Sequence, residues 1–383
     1  MRRREFLLSA AAVAGTAAAP AAFAAEPLKV AVMIPMSGPA ALFGPSSKNC
    51  ALMAADRLNR RGGVLGRKVE LLFGDAGVAP AEAAQTALRL WRGEGAGAFV
   101  GMHDSAVRDA LVQVFDGQVP YVYTPVYEGG ECAPGTYMTG ETPEQQLRPV
   151  IPWLKSTRNA KSWYLIGNDY IWPKRTNAVA RGYIAQAGAR VVGEEYVPFG
   201  VDNFDASLAR IRGHGADAVL VTLVGGASVS FNKAFASFGL SHRALRLGTL
   251  IEENTLAGIG RADAHDLYSS LGYFADLDTP RARAFAAAYA RRFGAHAPLL
   301  NGLAESVYEG FLLLHAIATR AHSLRVPQMD PASEGAHYVG PRGPITMHAR
   351  HVQQNIYLAD VGPAGFRVVK TFDSVPSGQT CKV

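Results

Sequence analysis

Along most of the chain, short runs of β-branched and apolar residues alternate with longer segments whose apolar residues recur at helical spacing. Leu28 to Pro35 (LKVAVMIP) reads as a strand, and after a Gly/Pro loop the run Ser46 to Arg61 carries Cys50, Met53, Ala54 and Leu58 on one helical face. Gly62-Gly63 stops that helix, Lys68 to Asp75 reads as the next strand, and Pro80 opens a helix with Ala84, Leu88 and Trp91 on one side. Strands at Ala98 to Val100 and Val119 to Tyr123 then flank a helix from Ser105 to Phe115. The alternation predicts a parallel βα unit over residues 26–143.

After a turn-rich stretch, Glu128 to Pro143, the pattern restarts. Helices are expected at Glu144 to Lys155, Lys174 to Ala187 and Asn203 to Arg212, with strands at Trp163 to Ile166, Val191 to Val197, Ala218 to Leu223 and Leu245 to Leu250. A strand near Leu267 to Tyr273 leads into helices at Thr279 to Phe293 and Leu300 to Ala321. Gly340 to Pro344 breaks the chain before strands at Val352 to Ala359 and Phe366 to Phe372. The fold class is α/β in two units, and 383 residues suffice for two packed cores. With 49% apolar and 18% charged residues, a disordered or fibrous chain is excluded.

In open parallel sheets, ligands bind beyond the carboxyl ends of the strands, where helix N-termini present free N–H groups. In the first unit those positions hold His103, Asp104 and Ser105, then Thr124 and Pro125 after Tyr123; in the second they hold Asp169, Tyr170 and Trp172, then Gly225. Hydroxyls and broad aromatic rings gather there without Lys or Arg, which suits a small, largely uncharged polar ligand and not a phosphate. Each residue also has a purely structural reading. Ser105 caps a helix, His103 is an exposed loop imidazole, and Tyr170 and Trp172 share one side of an extended segment as core. Glu252-Glu253 opens a short helix, and Asp169 serves the turn before Pro173.

Sequence signatures of catalysis are lacking: no P-loop, no H-E-x-x-H and no G-x-S-x-G occurs. Gly93, Gly95 and Ala98 imitate a dinucleotide fingerprint but precede a strand instead of following one. His348 and His351 have no Cys or carboxylate cluster beside them to complete a metal site. Neither metal nor cofactor is expected, and the chain does not read as an enzyme.

The N-terminus reads as a targeting segment. Arg2, Arg3 and Arg4 precede an apolar run, Ala22-Phe23-Ala24 offers a signal-peptidase site, and Arg3-Arg4-Glu5-Phe6-Leu7 has the twin-arginine pattern of folded-state export. Removing residues 1–24 takes three arginines and one glutamate from a formal charge of +6, leaving +4. So mild a charge implies no nucleic-acid partner. No later stretch is long and apolar enough for an integral membrane segment, and an uncleaved anchor helix at the N-terminus is the competing reading. Three cysteines stand far apart. Export permits one disulfide, for which Cys132 and Cys381, both in loop contexts, are the candidates, although the sequence leaves their pairing open; Cys50 lies on a helical face where buried thiols are common.

Four blocks carry a resemblance: VAVMIPMSGPAALFG, LNRRGGVLGRKVEL, TPVYEGGECAPGTYMTGETPEQQLRPVIPWL and YLIGNDYIWPKRTNAVARGYI. Together with the signal they resemble type I periplasmic solute-binding proteins over nearly the whole mature chain, and within them the urea and short-chain amide branch more than the leucine/isoleucine/valine branch. The resemblance implies two parallel-sheet α/β lobes joined by three crossovers, residues 26–143 with 275–340 and residues 144–274 with 341–383, and a ligand held in the cleft between them. It implies a periplasmic receptor of an ABC importer whose partners are a small-molecule solute and the permease and ATPase subunits at the inner membrane. By that likeness Ser105 hydrogen-bonds the amide, Tyr123 with Thr124-Pro125 forms the adjoining wall, and Tyr170 and Trp172 close from the second lobe. His103, where the amide receptors have a phenol, and the larger Trp172 reshape the pocket toward a larger or aromatic amide. An amino-acid receptor of the same family, with Glu252 as partner of the ammonium, an amide-sensing regulator and an exported amide hydrolase are the alternatives.

Overall fold

The computed structural model describes residues 26–381; the targeting segment read above lies outside them. In chain order, β1 (Leu28–Ile34), α1 (Gly44–Arg60), β2 (Val69–Asp75), α2 (Pro80–Leu88), β3 (Ala98–Gly101), α3 (Ser105–Phe115), β4 (Tyr121–Tyr123) and β5 (Thr136–Met138) come first. Then follow α4 (Pro143–Gln146), α5 (Val150–Arg158), β6 (Ser162–Asn168), α6 (Ile171–Gln186), β7 (Arg190–Val197), α7 (Asp205–His214) and β8 (Ala218–Thr222). Next are α8 (Gly225–Ser237), β9 (Leu245–Gly248), α9 (Glu253–Ile259), β10 (Leu267–Leu271), α10 (Pro280–Phe293), α11 (Gly302–Ala321) and α12 (Val326–Ser333). The chain ends in β11 (His337–Gly340), β12 (Gly343–His348), β13 (His351–Val361) and β14 (Phe366–Val375).

The strands run in the order β2-β1-β3-β4-β5-β13-β10-β9-β8-β6-β7. β1 pairs parallel with β2 and β3, and β6 pairs parallel with β7 and β8, so each half of the sheet is a βα unit wound about one buried strand. β13 joins the halves: His351 lies opposite Met138 of β5, whereas Tyr357 to Asp360 run antiparallel to β10. The chain therefore passes between two lobes three times, after β5, after β10 and along β13. In the first lobe α11, buried over most of its length, packs against α1.

A buried arginine ties the three crossovers together. The guanidinium of Arg342, just before β12, donates to Glu305 of α11 at 2.7 Å and 3.0 Å and to Gln354 of β13 at 2.8 Å. It also pairs at 3.3 Å with Glu141 of the first crossover, and Glu141 accepts the Gly272 N–H of the second at 2.6 Å. Cys132 and Cys381 are joined in a disulfide with Cα atoms 5.3 Å apart, and Cys50 is a buried free thiol.

Several expectations are corrected. β5 was read as turn, because three residues inside a Gly/Pro-rich stretch are too few to show a period. The expected helix Glu144 to Lys155 is two, α4 and α5, because Pro149 cannot supply an interior helical N–H. α8, which opens on Gly225-Gly226, is a helix not among those expected. Gly340 to Pro344 is not a chain break but the turn of the β11-β12 hairpin. Because β12 pairs with the start of β13 in the first half of the sheet, the return to the second lobe falls within β13 and not at residue 341.

Candidate functional site

A cavity of about 50 Å³ lies between the lobes, beyond the carboxyl ends of β3, β4 and β6. Of the nine residues singled out by sequence, six line it: His103, Ser105, Tyr123 and Pro125 from the first lobe, Tyr170 and Trp172 from the second. Phe43, Met102, Val126, Val224, Leu250 and Leu303 complete an apolar lining that sequence gave no means of selecting. At this size the space admits a few waters or a solute of few heavy atoms.

On the first-lobe side Ser105, Glu128, His103 and Tyr123 are engaged within the protein, whereas Arg108 Nε and Nη1 have no hydrogen-bond partner. Asp104, not Ser105, is the N-cap of α3 and accepts the Val107 N–H at 2.9 Å. The Ser105 hydroxyl is thereby free to donate to Glu128 Oε2 at 2.7 Å, and Glu128 Oε1 accepts from Arg108 at 2.9 Å. Although burial opposes it, Tyr123 and Glu128 hold the Arg108 pKa above its ordinary value. The sequence reading counted no arginine here because it followed only the loops after the strands. Arg108 stands three residues beyond Ser105 on the same helical face, and that spacing was the available signal.

His103 is buried, not an exposed loop imidazole. Burial first, and the charge of Arg108 with it, lower its pKa to about 4, so the ring is neutral. Nδ1 lies 3.1 Å from the Asp104 carbonyl and must donate there, which leaves Nε2 to accept from the Tyr121 hydroxyl at 2.9 Å. The Tyr123 hydroxyl donates to the His103 carbonyl at 2.6 Å. His103 therefore offers the cavity a ring surface and no free nitrogen.

The second-lobe side is different. Tyr170 is the extended N-cap of α6, and Trp172 lies in the helix's first turn, not on an extended segment; the two rings stand 6.3 Å apart. Among the described residues the Tyr170 hydroxyl and the Trp172 indole N–H have no protein hydrogen-bond partner. Burial, and then the nearby Asp104 and Tyr123, push the Tyr170 pKa well up, so the phenol stays a donor.

Three expected residues are not brought to the cavity. Thr124 turns its hydroxyl into the first lobe, donating to the Gly101 carbonyl at 3.3 Å and accepting from Ser306 at 3.1 Å. The Glu252 carboxylate caps α9, accepting the Asn254 and Thr255 N–H groups at 2.8 Å and 2.7 Å; burial raises its pKa to about 7. Gly225 has φ +56° at the start of α8, and a Cβ there would stand 2.3 Å from the Pro39 carbonyl oxygen of the opposite lobe. It serves the approach of the lobes, as do Asn254 Nδ2, which donates to the Leu42 carbonyl at 3.4 Å, and Arg175, 3.9 Å from Glu128.

Two α/β lobes with three crossings and an aromatic cavity between them at strand carboxyl ends are the architecture of a two-lobed binding protein. Residues 27–365 match the family model described as periplasmic binding protein, and the chain belongs to that family. It is similar to the Leu/Ile/Val-binding protein homolog 6 of Brucella melitensis, with 26% identity and 94% of each chain covered. Its fold is that of an R. palustris ABC-transporter solute binding protein in complex with 4-hydroxybenzoate, at TM-score 0.81 and 23% identity, covering 92% of this chain and 98% of that one. It is likewise that of a leucine binding protein from Thermotoga maritima, at TM-score 0.79 and 18% identity, covering 90% and 99%. The expectation of a binding protein, not a hydrolase, accords with these relatives. Among the described residues no helix is long and apolar enough to cross a membrane.

Proposed function

We propose that the chain is the exported, periplasmic receptor of an ABC importer and captures a small flat amide, short-chain or aromatic, between its lobes for delivery to the permease and ATPase subunits. The observation that carries the substrate class is the pairing of two free donors, Tyr170 Oη–H and Trp172 Nε1–H, with an acceptor-rich opposite wall at Ser105 and Asp104. An amide is complementary to both: its carbonyl accepts from the second lobe, and its N–H groups donate to the Ser105 lone pairs and the Asp104 carboxylate. Phe43, Tyr123 and Trp172 suit a planar apolar remainder. Closure follows from the extra contacts a ligand makes when both walls meet it.

An aromatic carboxylate is the second reading. It is favoured by the buried Arg108 Nη1, which has no hydrogen-bond partner, and by the benzoate carried by the R. palustris relative. A branched-chain amino acid fits less well, since the Glu252 carboxylate is already held by its own helix.

The test is a thermal melt of the mature chain with urea, acetamide, benzamide, benzoate and leucine, because a ligand that binds only the folded state raises the transition. A rise with acetamide or benzamide is expected. A rise with benzoate alone selects the carboxylate reading, and a rise with leucine alone overturns both.

A further inference from the structure

A groove of about 780 Å³ runs between α1 and α10, apart from the cavity between the lobes. α1 begins beside Phe43 at the solute cavity, and its 17 residues place its far end about 25 Å away. That end supplies Arg57, Arg60 and Arg61; α10 supplies Arg281, Arg291 and Arg292. The only carboxylate of the lining is Asp56. Six arginines against one aspartate give this groove a net +5, whereas residues 25–383 together carry +4, so the remainder of that chain is slightly acidic.

Few of these charges are neutralised. Asp56 pairs with Arg292, and Arg57 donates to the Tyr308 hydroxyl at 2.8 Å. The guanidinium groups of Arg60, Arg61, Arg281 and Arg291 have neither a hydrogen bond nor an ion pair among the described residues. Helix-end electrostatics account for Arg60 in the last turn of α1 and for Arg291 in that of α10. They do not account for Arg281, which stands in the first turn of α10, where the helix dipole disfavours a cation. Ala284 and Ala288 keep the floor low between the two rows of guanidinium groups, and Phe285 makes it apolar.

We infer that this groove is a second binding site, for an extended anion carrying two or more phosphate groups. The lining contains no lysine, and arginine's planar fork meets phosphate oxygens in pairs. From Arg281 to Arg291 the basic row extends about 15 Å along α10, more than one phosphate can satisfy. The concave lining fits a free oligophosphate or a phosphorylated headgroup drawn out of its surface, and high charge density favours either over a peptide carboxylate at every second residue.

The experiment titrates the full mature chain calorimetrically with sodium tripolyphosphate and, separately, with sodium monophosphate and with hexaglutamate, at low and at physiological salt. Cardiolipin vesicles, whose headgroup carries two phosphates, and phosphatidylcholine vesicles are tested by flotation. The expected result is tripolyphosphate binding at least tenfold tighter than monophosphate, weakened by salt. In Arg60→Gln/Arg281→Gln/Arg291→Gln it is lost by tenfold or more, with the thermal midpoint and solute response unchanged. Flotation with cardiolipin that this variant abolishes supports the same site with a headgroup as the source. Equal affinity for the two phosphates without flotation, an undiminished variant, or tighter binding of hexaglutamate overturns the inference. The surface arginines are replaced by neutral side chains, so folding is checked by circular dichroism; a single Arg281→Gln variant, expected to weaken binding severalfold, serves if the triple variant does not fold.

Discussion

The two walls of the solute cavity are built on opposite plans. On the first-lobe side, Ser105 is held by Glu128, Glu128 by Arg108, and His103 by both Tyr121 and the Asp104 carbonyl. On the second-lobe side, Tyr170 and Trp172 are fixed by the first turn of α6, and their donors have no protein partner. Side chains that hold one another within a lobe keep their places whether or not the cleft is closed, while the unpaired donors of Tyr170 and Trp172 acquire a partner only with a ligand between the walls. The first wall therefore belongs to the folded lobe and the second to the binding event. Substitutions on the first should register in stability, and those on the second in affinity.

The largest expected effect breaks the first wall at its charge. Arg108→Met leaves Glu128, whose side chain is wholly buried, with only the Ser105 hydroxyl and a distant Arg175. Removing one partner of a buried pair costs about 4 kcal/mol. Urea unfolding of the ligand-free protein should show that loss; a change below about 1 kcal/mol would mean the network does not hold the wall.

His103 sharpens the same wall through pH. In the unfolded chain the imidazole takes its proton near 6.5, and in the folded chain only near 4. The unfolded state thus binds more protons between those values, and the contribution of His103 is complete above 6.5 and is lost as pH falls toward 4. The loss is on the order of 3 kcal/mol. His103→Gln should remove that part of the acid slope, measured as the difference between the two proteins' unfolding free energies at pH 7 and at pH 4.5. A parallel pair of curves would show that the ring is not held neutral. The difference is needed because burial raises Glu252 and Glu253 to about 7 and about 8, which acts in the opposite direction.

The legible parts of the molecule were those where one local pattern suffices. The alternation located the longer strands, and the segments after β3, β4 and β6 delivered six cavity residues. What failed depended on side-chain direction or on partners distant in sequence. Thr124 and Glu252 occupy the right segments, but their oxygens are captured by Ser306 and by the α9 backbone. The Arg342 hub joins Glu141, Glu305 and Gln354, which are separated by more than a hundred residues between the first and second, and no period or short motif marks it. Gly225 was selected for the cavity, yet its lack of a Cβ matters where α8 meets Pro39.

Trp172→Ala separates the two walls most cleanly. The indole is almost fully covered in this closed arrangement, with Tyr170 beside it and the first lobe opposite. When the lobes part, the face that now lines the cavity meets water, so its truncation is felt mainly in closure and not in folding. Losing the apolar contact of a large side chain with a ligand corresponds to about 2 kcal/mol, or roughly thirtyfold in the dissociation constant. The melting transition without ligand should change little beside that of Arg108→Met, while the shift produced by benzamide or acetamide shrinks to that of a much weaker binder. The reverse pattern, an unchanged ligand response with a large loss of stability, would place Trp172 in the core of the second lobe and make both walls structural.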